Sequence, residues 1–372
     1  MFLLSVAAAL GLSVFQLDVS AAYLQGEYDE GHDVYCHFPP GFEREFGDPT
    51  NEVSKLLKPL YGGRDSGAIW YRTLRNFLVH ELHFDMCPAD EGLFRFDGVI
   101  SDPDTGEELQ VSVLSGWFVD DGCVAVNSIR AWEVISEVIS KRFKLSSKGP
   151  VRQFLGARVI QDLDAGTVTL DLENYICAMA KKFQLDTARL EQKFERGDTH
   201  MGRLLPCSSR LQSRRFTGDD ALGEEESALF HSGVGTLAFL ANYTRPDISY
   251  GVSILSQFVQ DSSVTHLRAL YHLMGYAWLT RCDYLTYRRF DTNTWELGGF
   301  PVDSNEEVGF GDSSFADDFE TRRSQTGLIV MLNGGAVAWK SVKQQVCALS
   351  TCEAESYALA ELARVTLLCT RC

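Results

Sequence analysis

The sequence predicts an α+β fold: an antiparallel sheet backed by helices, then a helical stretch, then a second and smaller α/β sheet. Three observations predict it. Residues 111–119 and 123–126 are β-forming runs on either side of Asp120-Asp121-Gly122, a strong short-range hairpin signal. Segments 229–243, 246–259 and 264–279 carry apolar residues at helical spacing. From Tyr284 short strand-like runs return, at 284–287, 308–311, 327–332 and 336–339, and a helical pattern follows over 352–368.

The remaining elements follow in order. The apolar run 1–12 has no basic residue before it and continues straight into Phe15-Gln-Leu-Asp-Val, so it reads as a buried helix and a buried strand rather than a secretory leader. Residues 29–49 are rich in Gly, Pro and acids and read as a loop with short extended pieces. Over 66–82, Ile69, Trp70, Leu74, Phe77, Leu78 and Leu82 mark a helix. Ser101-Asp-Pro-Asp-Thr-Gly is a turn between two strand-like runs, inside an acidic stretch, 85–108, that reads as solvated surface. A helix over 129–143, strands at 153–160 and 167–171 joined at Asp164-Ala-Gly, and a helix over 174–184 come next. Residues 185–228 are polar and charged and read as a linker. The pattern groups the chain as 1–170, 171–283 and 284–372.

Composition narrows the function. With 45% hydrophobic and 23% charged residues the chain has a globular rather than a disordered composition, and 372 residues allow two or three cores. Its 34 Lys+Arg against 51 Asp+Glu give a net charge of −17, which excludes a histone-like polybasic binder. Alone, such a chain should hold nucleic acid poorly. The one Cys-x-x-Cys, Cys369 to Cys372, lacks the second pair that a zinc site needs, and ten unpatterned cysteines read as intracellular thiols. No stretch is apolar for long enough to cross a membrane.

Two acidic positions stand where acids are costly. Asp18 ends an apolar strand, and Asp120 and Asp121 occupy the tip of an apolar hairpin. Spacing alone leaves two readings open. Asp120-Asp121-Gly122 can be only a turn and Asp18 only a cap. Alternatively, three carboxylates brought together would hold two Mg²⁺ ions about 3.5–4 Å apart for in-line phosphoryl transfer.

Phe118-Val-Asp120-Asp121 after a β-run resembles the aromatic-x-Asp-Asp box of reverse transcriptases. Phe15-Gln-Leu-Asp18-Val-Ser-Ala-Ala-Tyr-Leu-Gln-Gly26 resembles their first carboxylate motif in its copia-type form. The stretch from Leu56-Leu-Lys-Pro-Leu-Tyr-Gly to Ala-Ile-Trp70-Tyr71, Phe154-Leu-Gly156 and Tyr243-Thr-Arg-Pro-Asp-Ile248 are similar to further landmarks, in the family's order. The resemblance is to the Pol polyprotein of copia-type LTR retrotransposons. It implies a reverse-transcriptase palm with a helical thumb and connection, then an incomplete ribonuclease H-like α/β domain. Asp18, Asp120 and Asp121 would be the catalytic metal carboxylates, with the Val19 carbonyl an added ligand. Tyr23 would exclude a ribose 2′-OH, although a core aromatic explains it equally. Gly62, Arg64 and Phe118 would line the dNTP and template. Gly63-Arg64-Asp65-Ser66-Gly67 departs from the usual Leu-Lys-Gln-Ala-Pro-like run. In the last part, Asp312 and Glu355 would share a metal pair that cuts the RNA of a hybrid, with Glu353 as the alternative to Glu355. Trp339 and Lys340 would pack and face the hybrid, or simply end a strand.

The resemblance further implies Mg²⁺ or Mn²⁺, a primed RNA or DNA template, dNTPs, an RNA–DNA hybrid and the rest of the polyprotein as partners. It implies no membrane, and a cytoplasmic virus-like particle or the nucleus rather than secretion. The family's fingers precede the first carboxylate and its ribonuclease H continues past the second glutamate. The chain is therefore expected to be a fragment, either RNA-directed DNA polymerase or a non-catalytic remnant of a decayed element.

Overall fold

A computed structural model of the chain describes residues 1–38, 53–195, 206–207, 221–290, 294–297, 300–303, 305–318 and 320–370. The chain divides into two units, Leu12–Val151 and Met1–Gly11 with Arg152–Arg371. The architecture is mixed α+β with antiparallel sheets and helices.

Helix α1 (Phe2–Leu10) belongs to the second unit. The first unit begins with strand β1 (Ser13–Val19) and a helical turn α2 (Ala22–Gln25). Strands β2 (Tyr35–His37) and β3 (Val53–Lys55) pair with each other. Helix α3 (Ser66–Asn76) runs on into a π-helical turn, Phe77–Glu81. Then come β4 (Asp85–Met86), β5 (Leu93–Ser101), β6 (Glu108–Phe118), β7 (Asp121–Val126), α4 (Ile129–Arg142) and β8 (Leu145–Pro150). They build one antiparallel sheet in the order β4-β5-β6-β7-β1-β8.

Strand alternation sends Phe15, Leu17 and Val19 of β1 to one face. There they meet Trp70, Leu74 and Phe77 from helix α3 and its π turn, Trp132, Ile135 and Ile139 from α4, and Phe143 beyond it. Trp132 stacks on Phe15 with ring centroids 4.5 Å apart. Helix α4 starts where Ser128 accepts a hydrogen bond from the Ala131 amide, an N-cap. Gln16 and Asp18 consequently fall on the opposite face of the sheet.

The acidic stretch is not all solvated surface. Asp102, at the β5–β6 turn, is 3% exposed and takes a bidentate pair of hydrogen bonds from Arg130 of α4 at 2.6 and 2.7 Å. A carboxylate can be buried there because its cation comes with it. Strand β8 carries no strand signal in the sequence, since Leu145-Ser-Ser-Lys-Gly-Pro150 is polar and holds Gly and Pro. Those residues are tolerated at a sheet edge, which is where β8 lies.

In the second unit, β9 (Gln153–Phe154), β10 (Ala157–Asp162) and β11 (Thr167–Asp171) join β12 (Leu285–Arg288) in one antiparallel sheet. Between β11 and β12 the described residues form the helices α5 (Glu173–Lys182), α6 (Thr187–Glu195), α7 (Glu224–Tyr243), α8 (Ser249–Ser256) and α9 (Val264–Leu279). The polar stretch 185–228 thus contains helix α6, while 196–205 and 208–220 lie outside the described residues. Arg245, 3% exposed, ties the end of α7 to the end of α9 by bonding Asp247 at 2.7 Å and the Thr280 carbonyl at 3.1 Å.

A hairpin of β13 (Thr294–Leu297) and β14 (Phe300–Asp303) precedes a three-stranded sheet, β15 (Val308–Ser314), β16 (Gln325–Leu332) and β17 (Gly335–Lys343). Helix α10 (Thr351–Cys369) packs on β15 and β16. Helix α1 buries Leu3, Leu4, Ala7 and Ala8, and its Ser5 hydroxyl donates to the Leu332 carbonyl. Among the described residues, no helix is long and apolar enough to cross a membrane.

Candidate active site

The sheet of the first unit lines up the predicted carboxylates. Asp18 of β1 pairs directly with Asp121 of β7, Asp121 pairs with Phe118 of β6, and Asp18 pairs with Ser147 of β8. Directly paired residues share a face, so Phe118, Asp121, Asp18 and Ser147 form one row across the sheet. It is the face away from the helices. Asp120 stands beside this row in the two-residue loop that joins β6 to β7.

That loop is Val119-Asp120, two residues earlier than the Asp121-Gly122 step suggests. Asp121 and Gly122 are already in β7. Gly122 is required for space rather than for the turn. A Cβ there would stand 2.7 Å from the Trp117 ring, which covers it. Val119 has φ of +56°, an unusual value for a β-branched residue. Two hydrogen bonds hold the loop: the Val19 amide donates to the Asp120 carbonyl at 2.9 Å, and the Trp70 indole donates to the Val119 carbonyl at 2.6 Å.

Like charges facing each other across a strand pair are unfavourable unless something offsets them. The Asp121 carboxyl is pushed above the usual carboxylate range, first by burial and then by the charges of Asp120 and Asp18. Asp121 therefore senses the charges of the other two acids. No lysine or arginine among the described residues forms an ion pair with any of them, whereas several other acids of this unit have one, such as Glu27 with Arg142 at 3.0 Å.

A donor set of carboxylates without His or Cys suits Mg²⁺ or Mn²⁺. The side chains do not converge to a point: among the described residues, no three His, Cys, Asp or Glu are grouped closely enough to hold a metal ion. Asp18 is turned toward β8, where the Ser146 hydroxyl donates to its backbone carbonyl at 3.0 Å and also bonds its Oδ2. Ser146 is the extra residue of a β-bulge, because Asp18 pairs with Ser147 and Val19 with Leu145. Ser146 and Trp70 are the site neighbours that sequence reasoning did not assign. Trp70 lay inside a quoted motif without a role, and Ser146 sits in a strand with no signal.

The other predicted residues of this unit lie in α2, in the loop before α3 and at the end of β6. Tyr23, in α2, is half-buried against the core and lies against Tyr61, with centroids 4.5 Å apart. Gly62 has φ of +92° and Arg64 is exposed, both in the loop before α3, and Arg64 has no ion pair among the described residues. The departures at Gly63 and Ser66 go together. Ser66 Oγ donates to the Leu60 carbonyl at 2.6 Å, and a Cβ at residue 63 would stand 2.4 Å from that oxygen. Phe118 is 60% exposed.

In the second unit, Asp312 of β15 pairs with Gly327 of β16 and lines a cavity of about 730 Å³ with Phe310, Tyr250 and Trp339. Its neighbours Gly309 and Gly311 lie under Leu362 of α10, so alternation turns Asp312 to the face away from that helix. Glu355 is on α10, half-buried. No hydrogen bond or ion pair among the described residues joins the two. Glu353 is held in the first turn of α10, accepting from the Leu349 amide at 2.7 Å. Lys340 pairs with Glu361 of α10 at 2.7 Å, and the Trp339 indole donates to the Ala241 carbonyl at 2.5 Å.

The antiparallel sheet thus sets one acid opposite the second of an Asp-Asp pair, beside an exposed aromatic. The family model described as reverse transcriptase (RNA-dependent DNA polymerase) matches residues 1–192, and the chain belongs to that family. It is a reverse transcriptase of the copia-type transposon Pol kind. It is 27% identical over 363 residues to the retrovirus-related Pol polyprotein from transposon TNT 1-94 of Nicotiana tabacum, covering 96% of this chain and 24% of that protein. It is 28% identical over 352 residues to the retrovirus-related Pol polyprotein from transposon RE1 of Arabidopsis thaliana, covering 95% and 21%. Against a putative transposon Ty5-1 protein of Saccharomyces cerevisiae it is 26% identical over 338 residues, covering 88% and 92%. The chain thus spans about a quarter of the plant polyproteins and most of the yeast protein.

Proposed function

We propose that the chain is an RNA-directed DNA polymerase segment, a nucleotidyltransferase that extends a primer 3′-OH on an RNA or DNA template. The observation that carries this is the pairing of Asp18 with Asp121, with Asp120 at the adjoining loop. In this reading the sheet of Leu12–Val151 is the palm, the helices that follow are thumb and connection, and the β15–β17 sheet with α10 is part of a ribonuclease H-like domain.

Asp18, Asp120 and Asp121 would hold Mg²⁺ or Mn²⁺, with the Val19 carbonyl as an added ligand. When bound, such ions supply activation of the primer hydroxyl and neutralisation of charge at the leaving pyrophosphate. The chain's own contribution is placement. The sheet fixes the backbone of two carboxylates opposite each other, and repulsion between them is the energy a cation relieves. Tyr23, beside Tyr61, limits the room next to the sugar and so favours dNTPs. Gly62 leaves the loop backbone open to the base pair, Arg64, which has no ion pair among the described residues, offers its charge to phosphate, and Phe118 packs against the primer end. Asp312 and Glu355 would act on the RNA strand of a hybrid. Partners are then a primed template, dNTPs, the hybrid and the rest of a Pol polyprotein, in a cytoplasmic particle or the nucleus.

A second reading, a non-catalytic remnant with the same fold, is favoured by one observation: the three acids do not form a ligand cluster as placed. Primer extension on poly(rA)·oligo(dT) with Mg²⁺ or Mn²⁺ separates the two. Extension by the chain, lost in Asp120→Asn, supports the polymerase. A folded chain without extension in either metal supports the remnant.

A further inference from the structure

We propose that the Trp70 indole N–H is a positioning group that locks Val119 of the Val119-Asp120 loop at its positive φ and so sets where Asp120 stands. This rests on the polymerase reading for its kinetic consequence, but the lock itself is a property of the hairpin.

Four observations lead there. Val119 holds φ of +56°, where a β-branched side chain crowds its own backbone, so the loop would relax if nothing held it. Val119 is 37% exposed and lies outside the buried core cluster, so side-chain packing is not its only restraint. Its carbonyl accepts from Trp70 Nε1 at 2.6 Å, and Trp70 is 1% exposed, with its ring edge-on to Phe143 at 5.2 Å. The next carbonyl, of Asp120, accepts from the Val19 amide at 2.9 Å, one residue past Asp18. The loop carrying one acid is thereby pinned at successive carbonyls, to a rigid helix on one side and to the strand of another acid on the other. A buried indole N–H aimed at a loop carbonyl is costly to leave unpaired, so the pair resists opening.

The test compares Trp70→Phe with the intact chain. Phe keeps the buried ring and removes only the donor. The expected result is an unchanged fold by circular dichroism and about tenfold faster hydrogen exchange at the Val19 amide, from loss of one buried bond. With it, kcat for primer extension falls about tenfold while KM for dNTP stays within about twofold. In a Val119→Asn background, where the left-handed region costs less, the same change should speed Val19 exchange by less than half as much. A purely structural Trp70 would leave Val19 exchange and kcat untouched by Phe, and that outcome overturns the proposal. Should Trp70→Phe fail to fold, exchange of the Trp70 indole proton in the intact chain decides. Protection comparable to the β7 amides supports the lock, and exchange at the free-indole rate overturns it. A chain without polymerase activity ends the polymerase reading, and the exchange data still judge the lock.

Discussion

Two turns of the first unit each carry an aspartate into a costly place, and they handle it differently. At the β5–β6 turn, Asp102 is buried against Arg130, which also reaches Asp104 at 2.5 Å and Glu133 at 3.0 Å. The guanidinium, helped by the Asp104 and Thr105 amides, holds the Asp102 carboxyl well below the usual carboxylate range. At the β6–β7 turn, Asp120 of the loop and Asp121 at the start of β7 stand beside Asp18 with no ion-pair partner among the described residues, and Asp121 is pushed the other way. An acid kept for structure is supplied with its counter-charge by the fold. For the acid row, where no such pair is formed among the described residues, the proposed counter-charge is a divalent cation.

The comparison breaks first on activity. Asp18→Asn and Asp121→Asn should each lower primer extension by about a thousandfold or more, since either removes a charge from the metal-holding set. Asp102→Asn should leave extension per folded molecule within about twofold and lower Tm by several degrees, because it removes the charge-assisted bidentate pair that a buried carboxylate makes with Arg130. Equal loss of activity in the two turns would end the distinction.

Stability against pH sharpens it. Asp121 has a folded pKa above its unfolded value, so the native state binds its proton more tightly. Its contribution to stability therefore falls as pH climbs past about 4, and the repulsion is fully felt at neutral pH. Asp121→Asn should accordingly raise Tm at pH 7, with the gain fading as pH falls to about 4. Asp102 has a depressed folded pKa, so its contribution is present above about 4 and is lost as pH falls below that. The Tm deficit of Asp102→Asn should be largest at pH 7 and shrink in acid. Differential scanning calorimetry of the two variants across pH 3–7 reads both signs.

Smaller effects test the hairpin register. Gly122→Ala drives a methyl group into the Trp117 ring and should cost about 1–3 kcal/mol in urea unfolding. Were Gly122 a turn glycine, the Trp117→Ala background would not rescue it; removal of the ring should instead abolish most of the added cost. Ser128→Ala, which removes the α4 cap far from the acid row, should cost about 1 kcal/mol and leave extension unchanged.

Much of the first unit was legible because its strands alternate or run apolar and its hairpin carries an Asp-Gly step. The step marked the hairpin but not its register, since Gly122 answers to Trp117 rather than to the loop. Strand β8 was illegible because an edge strand tolerates Gly149 and Pro150 and has little apolar burial to advertise, and Ser146 beside Asp18 was hidden with it. Asp102 looked like one more surface acid. Its partner lies 28 residues away, on a helix whose placement only the fold reveals. In the second unit the small sheet and α10 were read from period alone. The side of the sheet on which Asp312 falls depends on which alternate residues are the glycines beneath Leu362, a matter of packing rather than pattern.

The central claim is that Asp18, Asp120 and Asp121 form one site reserved for a divalent cation. Thermal unfolding at pH 7 with increasing MnCl₂ tests it most directly, because a ligand bound only by the native state raises Tm in proportion to ln(1 + [L]/Kd). The intact chain should gain Tm with Mn²⁺, and Asp18→Asn and Asp121→Asn should each need at least about tenfold more Mn²⁺ for the same gain. Identical Mn²⁺ curves for the three proteins would contradict the account.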